Sequence, residues 1–487
     1  MTNRGLSAVQ RTQAISRHMS SKAPVEVGDD ALVQFESAGH IRRYILNREK
    51  KLNSLNEPML NILRPYVEDF AKSDLGKVLV GTGKGRAFCA GGDVAAIMQD
   101  SLTEETRPRA IEFFRREFEL DFILASLQKP YVVVMDGITM GGGVGLSANA
   151  SFRIATENTK FAMPETKIGY APDVGGSFFL SRMDGELGTY LGLTGDTLSG
   201  RAVFEHGFAT HFIPSRRVSS LLERLASLEN PSYFKVNNLI EEHYSEREPD
   251  EPTSSLVGEK RKAIDFAFRH NTVEEIIADL ENIRKTHEVQ EVREWADSTL
   301  ELLNLRSPTS LKVALAAIRR GKSLSLLEAL QMEMNFATAF CSGETPDFKT
   351  GVTAVLVEKI KGRPAWSPPT LAEVNDKDII SRFFQKYSPS AGTAPALSIP
   401  EEMVANNTSL HPMRWALPTE AEIRAMVDGS HPSSGSTQLT LPELFKKFET
   451  LREGKFGVKE KVLEVVSRKC EEVEHKETGL KLLQWIH

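Results

Sequence analysis

Only three of the 487 residues are cysteine, namely Cys89, Cys341 and Cys470, and they lie far apart. No pair has metal-ligand spacing and no disulfide framework can be drawn, so a reducing compartment fits better than secretion. No apolar run approaches the roughly 20 residues that span a bilayer, which removes a membrane partner from the reading. Basic excess is also missing: 60 Lys and Arg stand against 66 Asp and Glu, a net charge of −6. A dominant nucleic-acid surface needs concentrated positive charge, and no direct nucleic-acid motif is found. One stretch lacks acid instead. No Asp or Glu precedes Glu26, while Arg4, Arg11, Arg17 and Lys22 are interspersed with Ser7, Ser16, Ser20 and Ser21. An Arg- and Ser-rich start without acid predicts a mitochondrial presequence over residues 1–24.

What is present is an ordinary globular composition, 40 % apolar and 26 % charged, in a chain too long for one simple core. Residues 30–215 alternate short apolar runs with helical stretches, which predicts an α/β core. Strands are expected over 77–81, 131–135, 152–156 and 161–163. An amphipathic helix is expected over 107–127, where Ile111, Phe114, Phe118, Phe122 and Leu124 recur near helical spacing. Residues 216–386 read as helical, with a capping signal at Thr272-Val273-Glu274-Glu275 and a break at Ser307-Pro308. A linker rich in Ser, Pro and Ala is expected over 387–402. A helical extension over 403–487 follows, with starts at Leu417-Pro418-Thr419-Glu420 and Leu441-Pro442-Glu443-Leu444.

Three segments carry chemistry-bearing residues. Ala87-Phe88-Cys89-Ala90-Gly91-Gly92-Asp93 follows a strand; adjacent glycines let backbone N–H groups approach a ligand, and Asp93 is placed to cap the next helix. Alone, this is a tight turn. Asp136-Gly137-Ile138-Thr139-Met140-Gly141-Gly142-Gly143-Val144-Gly145 also follows a strand. Three glycines at a helix start cost backbone entropy, offset either by N–H groups facing a substrate oxygen or by close helix–strand packing. The phosphate-loop and dinucleotide glycine patterns are absent from it. The third segment, Phe161-Ala162-Met163-Pro164-Glu165 through Pro172-Asp173-Val174-Gly175-Gly176, sets two carboxylates among prolines and glycines. In apolar surroundings a carboxyl gains a raised pKa and serves as acid, base or nucleophile; in ordinary ones it is a surface turn residue.

The three segments in this order resemble the crotonase (enoyl-CoA hydratase/isomerase) superfamily. The resemblance implies a ClpP/crotonase-like spiral of ββα units, completed by a helical region. It implies an oxyanion hole for an acyl-CoA thioester carbonyl, formed by the N–H groups of Gly92 and Gly142. A hydratase carries one catalytic glutamate shortly after the glycine triplet, where this chain has Gly145; a glutamate restored there is expected to reintroduce hydration. The second hydratase glutamate matches Glu165. Asp173 replaces a small residue.

Within the superfamily, the strings Gly137-Ile138-Thr139-Met140, Pro172-Asp173-Val174-Gly175-Gly176 and Phe113-Phe114-Arg115-Arg116-Glu117 are similar to the 3-hydroxyisobutyryl-CoA hydrolase branch. The resemblance runs from about residue 30 to about 385. It implies hydrolysis of that thioester in valine breakdown. Glu165 would act as nucleophile or general base, Asp173 would orient the substrate hydroxyl or pass a proton to the leaving thiolate, and Glu117 would bind the substrate's polar end. Metal and redox cofactors are not required, because CoA enters as part of the substrate; Lys84 or Arg86 would meet its phosphates. Cys89 reads as packing. Trimers or hexamers are common in the superfamily, which implies a homo-oligomer. Two other readings stand beside this one. A small-subunit protein of mitochondrial ribosomes also resembles the branch, and the extension suits docking on such an assembly. Another superfamily reaction, hydration or isomerisation, is the second, with Gly145 against hydration.

Overall fold

The computed structural model describes residues 31–388, 392–407, 413–435, 438–476 and 479–486. The expected presequence therefore lies outside the described residues.

The chain builds two sheets by splitting strand pairs. In the larger sheet the order is β1 (Val33–Ala38), β2 (Ile41–Leu46), β3 (Val78–Gly83), β5 (Tyr131–Met135), β7 (Phe152–Ala155) and β10 (His211–Phe212), parallel except for the β1–β2 pair. The smaller sheet runs β4 (Ala87–Cys89), β6 (Ile138–Met140), β8 (Lys160–Ala162) and β9 (Leu198–Ser199), with only β9 antiparallel. Three times a large-sheet strand turns directly into a small-sheet strand and then a helix or helical turn: β3–β4, β5–β6 and β7–β8. This is the spiral of ββα units that the family resemblance implies.

The large sheet is apolar on both faces because both are covered. Val78, Val80, Val132, Val134 and Ile154 pack under the helices Val218–Ala226 and Tyr233–Glu241, while Leu79, Val133, Met135 and Ala155 face the main core. The helix expected over 107–127 spans Arg107–Ala125, and its C-terminal half is wholly buried. Thr272 and Ser307 cap the helices Val273–Thr286 and Pro308–Gly321, each accepting a backbone N–H with its side chain.

The stretch read as a linker is held against the core where it is described. Leu397 N–H donates to Gln331 at 3.1 Å, and Ser398 N–H donates to the buried Glu119 carboxylate at 2.6 Å. Residues 389–391 lie outside the described residues. Beyond the stretch come the helices Glu420–Val427, Leu441–Leu451 and Val458–Lys469, the first two opened by capping boxes at Thr419 and Thr440. The extension is not purely helical: Cys470–Glu474 and Lys481–Trp485 pair as an antiparallel hairpin. Its first strand carries Glu471, Glu472 and Glu474 and is mostly exposed, so no apolar alternation announces it.

Buried ion pairs join the extension to the core. Lys461 Nζ lies 2.7 Å from Asp184 Oδ2 with both side chains nearly buried, Lys455 pairs with Glu241, and Arg468 reaches Asp265 at 3.5 Å. Burial alone would raise the Asp184 pKa, but Lys461 and Arg261 beside it hold it below the usual carboxylate range. An aspartate depressed in this way adds stability above its unfolded pKa and gives it up as pH falls through the folded one. Lys461→Met should therefore cost about 3 kcal/mol at pH 7, since it strands a buried charge, and progressively less in acid. Urea denaturation checks this; the double variant with Asp184→Asn should recover most of the loss.

Candidate active site

The three small-sheet strands β4, β6 and β8 are parallel neighbours, so their carboxyl ends leave the sheet side by side. Each of the three segments singled out in the sequence begins there. Gly91 and Gly92 follow β4, Gly141 to Gly143 follow β6, and Pro164 and Glu165 follow β8. All of these but Gly143, together with Phe113, Phe114, Glu117, Ile168, Tyr170, Asp173 and Leu356, line a cavity of about 190 Å³. Ligand sites of open α/β sheets favour this position outside the carboxyl strand ends. All five predicted site residues, Gly92, Glu117, Gly142, Glu165 and Asp173, thus meet in one place.

Neither the Gly92 nor the Gly142 N–H donates to any other residue among those described. The first lies in a loop pinned on both sides: Leu55 N–H donates to Gly91 at 2.8 Å, and Asp93 N–H donates to Leu55 at 2.8 Å. The second opens the helix Gly142–Ala148. The glycine triplet packs too closely for side chains, one of the two purposes left open by the sequence. Gly141 has φ +46°, a left-handed conformation that favours glycine, and a Cβ there would lie 3.1 Å from Glu165 Oε1. A Cβ on Gly142 would run into Glu117 Oε1, and one on Gly143 into the Cys89 carbonyl. Asp93 makes no side-chain cap; it pairs with Arg48 at 2.7 Å instead and ties the loop to the turn after β2. Cys89 is fully buried, with its thiol pushed up to about 12 chiefly by burial, in keeping with packing. Lys84 and Arg86 stay exposed in the β3–β4 turn, outside the cavity lining.

Glu165 starts a short 3₁₀ turn, Glu165–Ile168, and is 7 % exposed. That turn is fixed from below: Thr166 Oγ1 donates to the Leu193 carbonyl at 3.0 Å, and Ser307 N–H to the Thr166 carbonyl at 3.3 Å. Asp173 is 4 % exposed and accepts the Tyr170 hydroxyl at 3.0 Å. The next residue, Val174, has φ +54°, rare for a β-branched side chain and a form of strain that clusters at functional sites. Glu333 holds the turn: its carboxylate accepts the N–H groups of Gly175 at 2.7 Å and Ser177 at 2.9 Å.

Acid groups collect here, and no Lys or Arg stands among the described residues that line the cavity. Burial, then the Glu165 charge, pushes Glu117 up to about 8; burial pushes Glu165 up to about 8. Asp173 is raised well above the usual range by burial and then by Glu117 and Glu165. Glu117 Oε1 and Glu165 Oε2 have no hydrogen-bond partner among the described residues. Such carboxyls hold protons near neutrality and suit general acid–base work.

Sequence reasoning missed Tyr170, Glu333 and Asp121. Tyr170 was within the quoted string, two residues before Pro172, but nothing local marks its hydroxyl as a donor to Asp173. Glu333 lies inside an apolar helix, Leu326–Cys341, where one carboxylate among Met and Phe was the available signal. The position where a hydratase places its glutamate also proves closed. A Cβ on Gly145 would sit 2.5 Å from Asp121 Oδ2 and 2.7 Å from Val174 Cβ, so a glutamate restored there does not fit.

The enoyl-CoA hydratase/isomerase family model matches residues 41–384. The small ribosomal subunit protein mS47 of Neurospora crassa is 38 % identical over 455 residues, 91 % of this chain and 87 % of that one. The mitochondrial 3-hydroxyisobutyryl-CoA hydrolase of Homo sapiens is 38 % identical over 379 residues, 77 % of this chain and 94 % of that one. A carnitinyl-CoA dehydratase from Mycobacterium thermoresistibile superposes with a TM-score of 0.64 at 34 % identity, over 74 % of this chain and 98 % of that one.

A carboxyl raised on folding stabilises the protein below its unfolded pKa, and that stability is lost as pH rises through the folded value. Glu165→Gln should therefore match the parent at pH 4.5 and exceed it by on the order of 2 kcal/mol at pH 9, because the charge no longer has to be buried. Chemical denaturation at the two pH values checks the sign.

Proposed function

The chain belongs to the enoyl-CoA hydratase/isomerase family, and from that premise we propose that it hydrolyses 3-hydroxyisobutyryl-CoA to 3-hydroxyisobutyrate and CoA in the mitochondrion. The observation that carries the reading is the pairing of Glu165 with Asp173 in one cavity beside two unengaged N–H groups, while the hydratase position is closed at Gly145. The curated hydrolases of Homo sapiens and Rattus norvegicus, 38 % and 39 % identical over 77 % of this chain, support the same substrate class.

In the proposed reaction the thioester carbonyl oxygen rests on the N–H groups of Gly92 and Gly142. Each donor stabilises the developing oxyanion by about 3 kcal/mol, as comparable donors do. Ionised Glu165 adds to the carbonyl carbon, giving an anhydride that water then opens, or takes a proton from a water that adds there. Either way the carbon–sulfur bond breaks and the thiolate leaves with a proton. Asp173 passes that proton to the sulfur, or orients the substrate hydroxyl while water supplies it, with the Tyr170 hydroxyl donating to one of its oxygens. Glu117 accepts the polar end of the acyl group. The chemistry uses no metal or redox cofactor.

A second reading is favoured by one observation. The ribosomal relative aligns with 91 % of the chain, the human hydrolase with 77 %. The 9 % left unmatched by the former is about 44 of the 487 residues, so at least half of residues 400–487 lies within the ribosomal alignment. We propose that the extension docks on a small ribosomal subunit, a role compatible with catalysis.

Purified protein should release free CoA from 3-hydroxyisobutyryl-CoA faster than from acetyl-CoA or crotonyl-CoA. The kcat/KM should rise with pH to a plateau above about 8, as Glu165 ionises. Glu165→Gln should lower kcat by roughly a thousandfold or more while leaving acyl-CoA affinity within about threefold, since shape is kept and proton capacity is lost. Equal loss of binding and turnover would make Glu165 a binding residue. Co-sedimentation with mitochondrial ribosomes, lost when residues 400–487 are removed but kept in Glu165→Gln, tests the second reading.

A further inference from the structure

Behind the cavity lies a carboxylate that the proposed reaction does not use. Asp121 is 2 % exposed, and neither of its oxygens has a hydrogen-bond partner among the described residues. It follows Glu117 by one turn on the helix Arg107–Ala125, so the two side chains occupy neighbouring positions on one face. Both press on the helix Gly142–Ala148: Glu117 against Gly142 and Asp121 against Gly145, where a Cβ would come within 2.5 Å. The two glycines stand three residues apart and the two acids four, so each pair lies about one helical turn apart. Asn149, four residues after Gly145, is likewise buried with both side-chain polar atoms unpartnered.

The groups that face Asp121 are Glu117 on its own helix, Glu333 on Leu326–Cys341, Tyr44 on β2, Tyr131 on β5 and Cys89 on β4; none is a cation. Two carboxylates at this spacing in apolar surroundings do not both ionise near neutrality. The Tyr44 and Tyr131 hydroxyls are engaged with each other at 2.6 Å, and Tyr131 also donates to the Leu146 carbonyl at 2.8 Å.

We infer that Asp121 is a positioning residue that keeps its proton and turns it toward the unpartnered oxygen of Glu117, so that the pair carries at most one negative charge and Glu117 faces the cavity as an acceptor for the substrate hydroxyl. The proton stays within the pair throughout turnover. This rests on the assignment of Glu117 to the polar end of the acyl group. The same arrangement explains why position 145 is a glycine: Asp121 fills the space that a side chain there would need.

The test uses the full chain. Infrared difference spectra of Asp121→Asn against the parent, recorded from pH 6 to 9, should show the loss of one protonated carboxyl band. In Glu117→Gln that band should shift, because its acceptor has changed. Both readings need no turnover, so they stand even if the hydrolase assignment fails. Asp121→Asn keeps an N–H donor and should leave KM for 3-hydroxyisobutyryl-CoA within about threefold. Asp121→Leu has no donor and should raise that KM by on the order of tenfold, with little change for isobutyryl-CoA, which lacks the hydroxyl. An unchanged carboxyl band in Asp121→Asn, an unshifted band in Glu117→Gln, or equal losses on the two substrates would overturn the inference. Thermal melts of the variants separate misfolding from a true effect.

Discussion

The parallel pairing of β4, β6 and β8 is the constraint on which the site depends. Parallel strands cannot be joined by tight turns, so each needs a crossover. Here the crossover returns through a large-sheet strand, and the small-sheet partner follows it almost at once. The consequence is geometric. Three loops separated by about fifty and then twenty-odd residues emerge at one edge, carrying Gly92, Gly142 and Glu165 to the same cavity. The sheet does not touch the chemistry, but it fixes where every participating group begins. Helix Arg107–Ala125, inserted between β4 and β5, then brings Glu117 across the glycine helix.

Charge of one sign accumulates at that edge, and the rest of the molecule bears its cost. Glu117, Asp121, Glu165 and Asp173 are all nearly buried, and Glu333 behind them is pushed up to about 7 by burial despite three hydrogen bonds. An arrangement of this kind lowers stability as pH rises, which an active site tolerates when the surrounding packing is secure. Security is visible close by. Tyr170 stacks on Phe114 with ring centroids 5.4 Å apart and lies 5.0 Å from Phe340, and the strained Val174 packs close to Gly145 just before the turn that Glu333 binds. Aromatic contacts fix the groups that electrostatics would push apart.

Much of this was legible in the sequence because the information was local. Short apolar runs gave the strands at 78–83, 131–135 and 152–155 to within a few residues, and paired glycines marked the loops. Prolines and glycines frame Glu165 and Asp173, but it was the family resemblance, and not that frame, that singled them out as working carboxylates. What escaped was set by partners distant in the chain. Asp93 looked like a helix cap, but Arg48 lies within 2.7 Å and an ion pair displaced the cap. Asp121 looked like one more polar residue on an amphipathic helix; its burial depends on a glycine 24 positions later. Gly145 read as a missing glutamate, whereas it is a contact surface for Asp121. The hairpin at 470–485 escaped because its outer strand is exposed and acidic, with a register set by pairing alone.

The extension is attached to the core away from the cavity. Among the described residues, every one that lines the cavity precedes position 357, so the described part of the extension lies outside the lining. Lys455, Lys461 and Arg468 attach the extension through buried pairs to Glu241, Asp184 and Asp265, none of which lines the cavity. One link does reach the catalytic helix: Ser398 N–H donates to Glu119, which also pairs with Arg64 and Arg115. Glu119 sits midway between Glu117 and Asp121, and its carboxylate is turned toward the strap and away from the cavity acids. The strap therefore braces the helix from outside without adding charge to the site. A module attached in this way lies outside the cavity lining, so its outer surface and the cavity acids are separate in the fold.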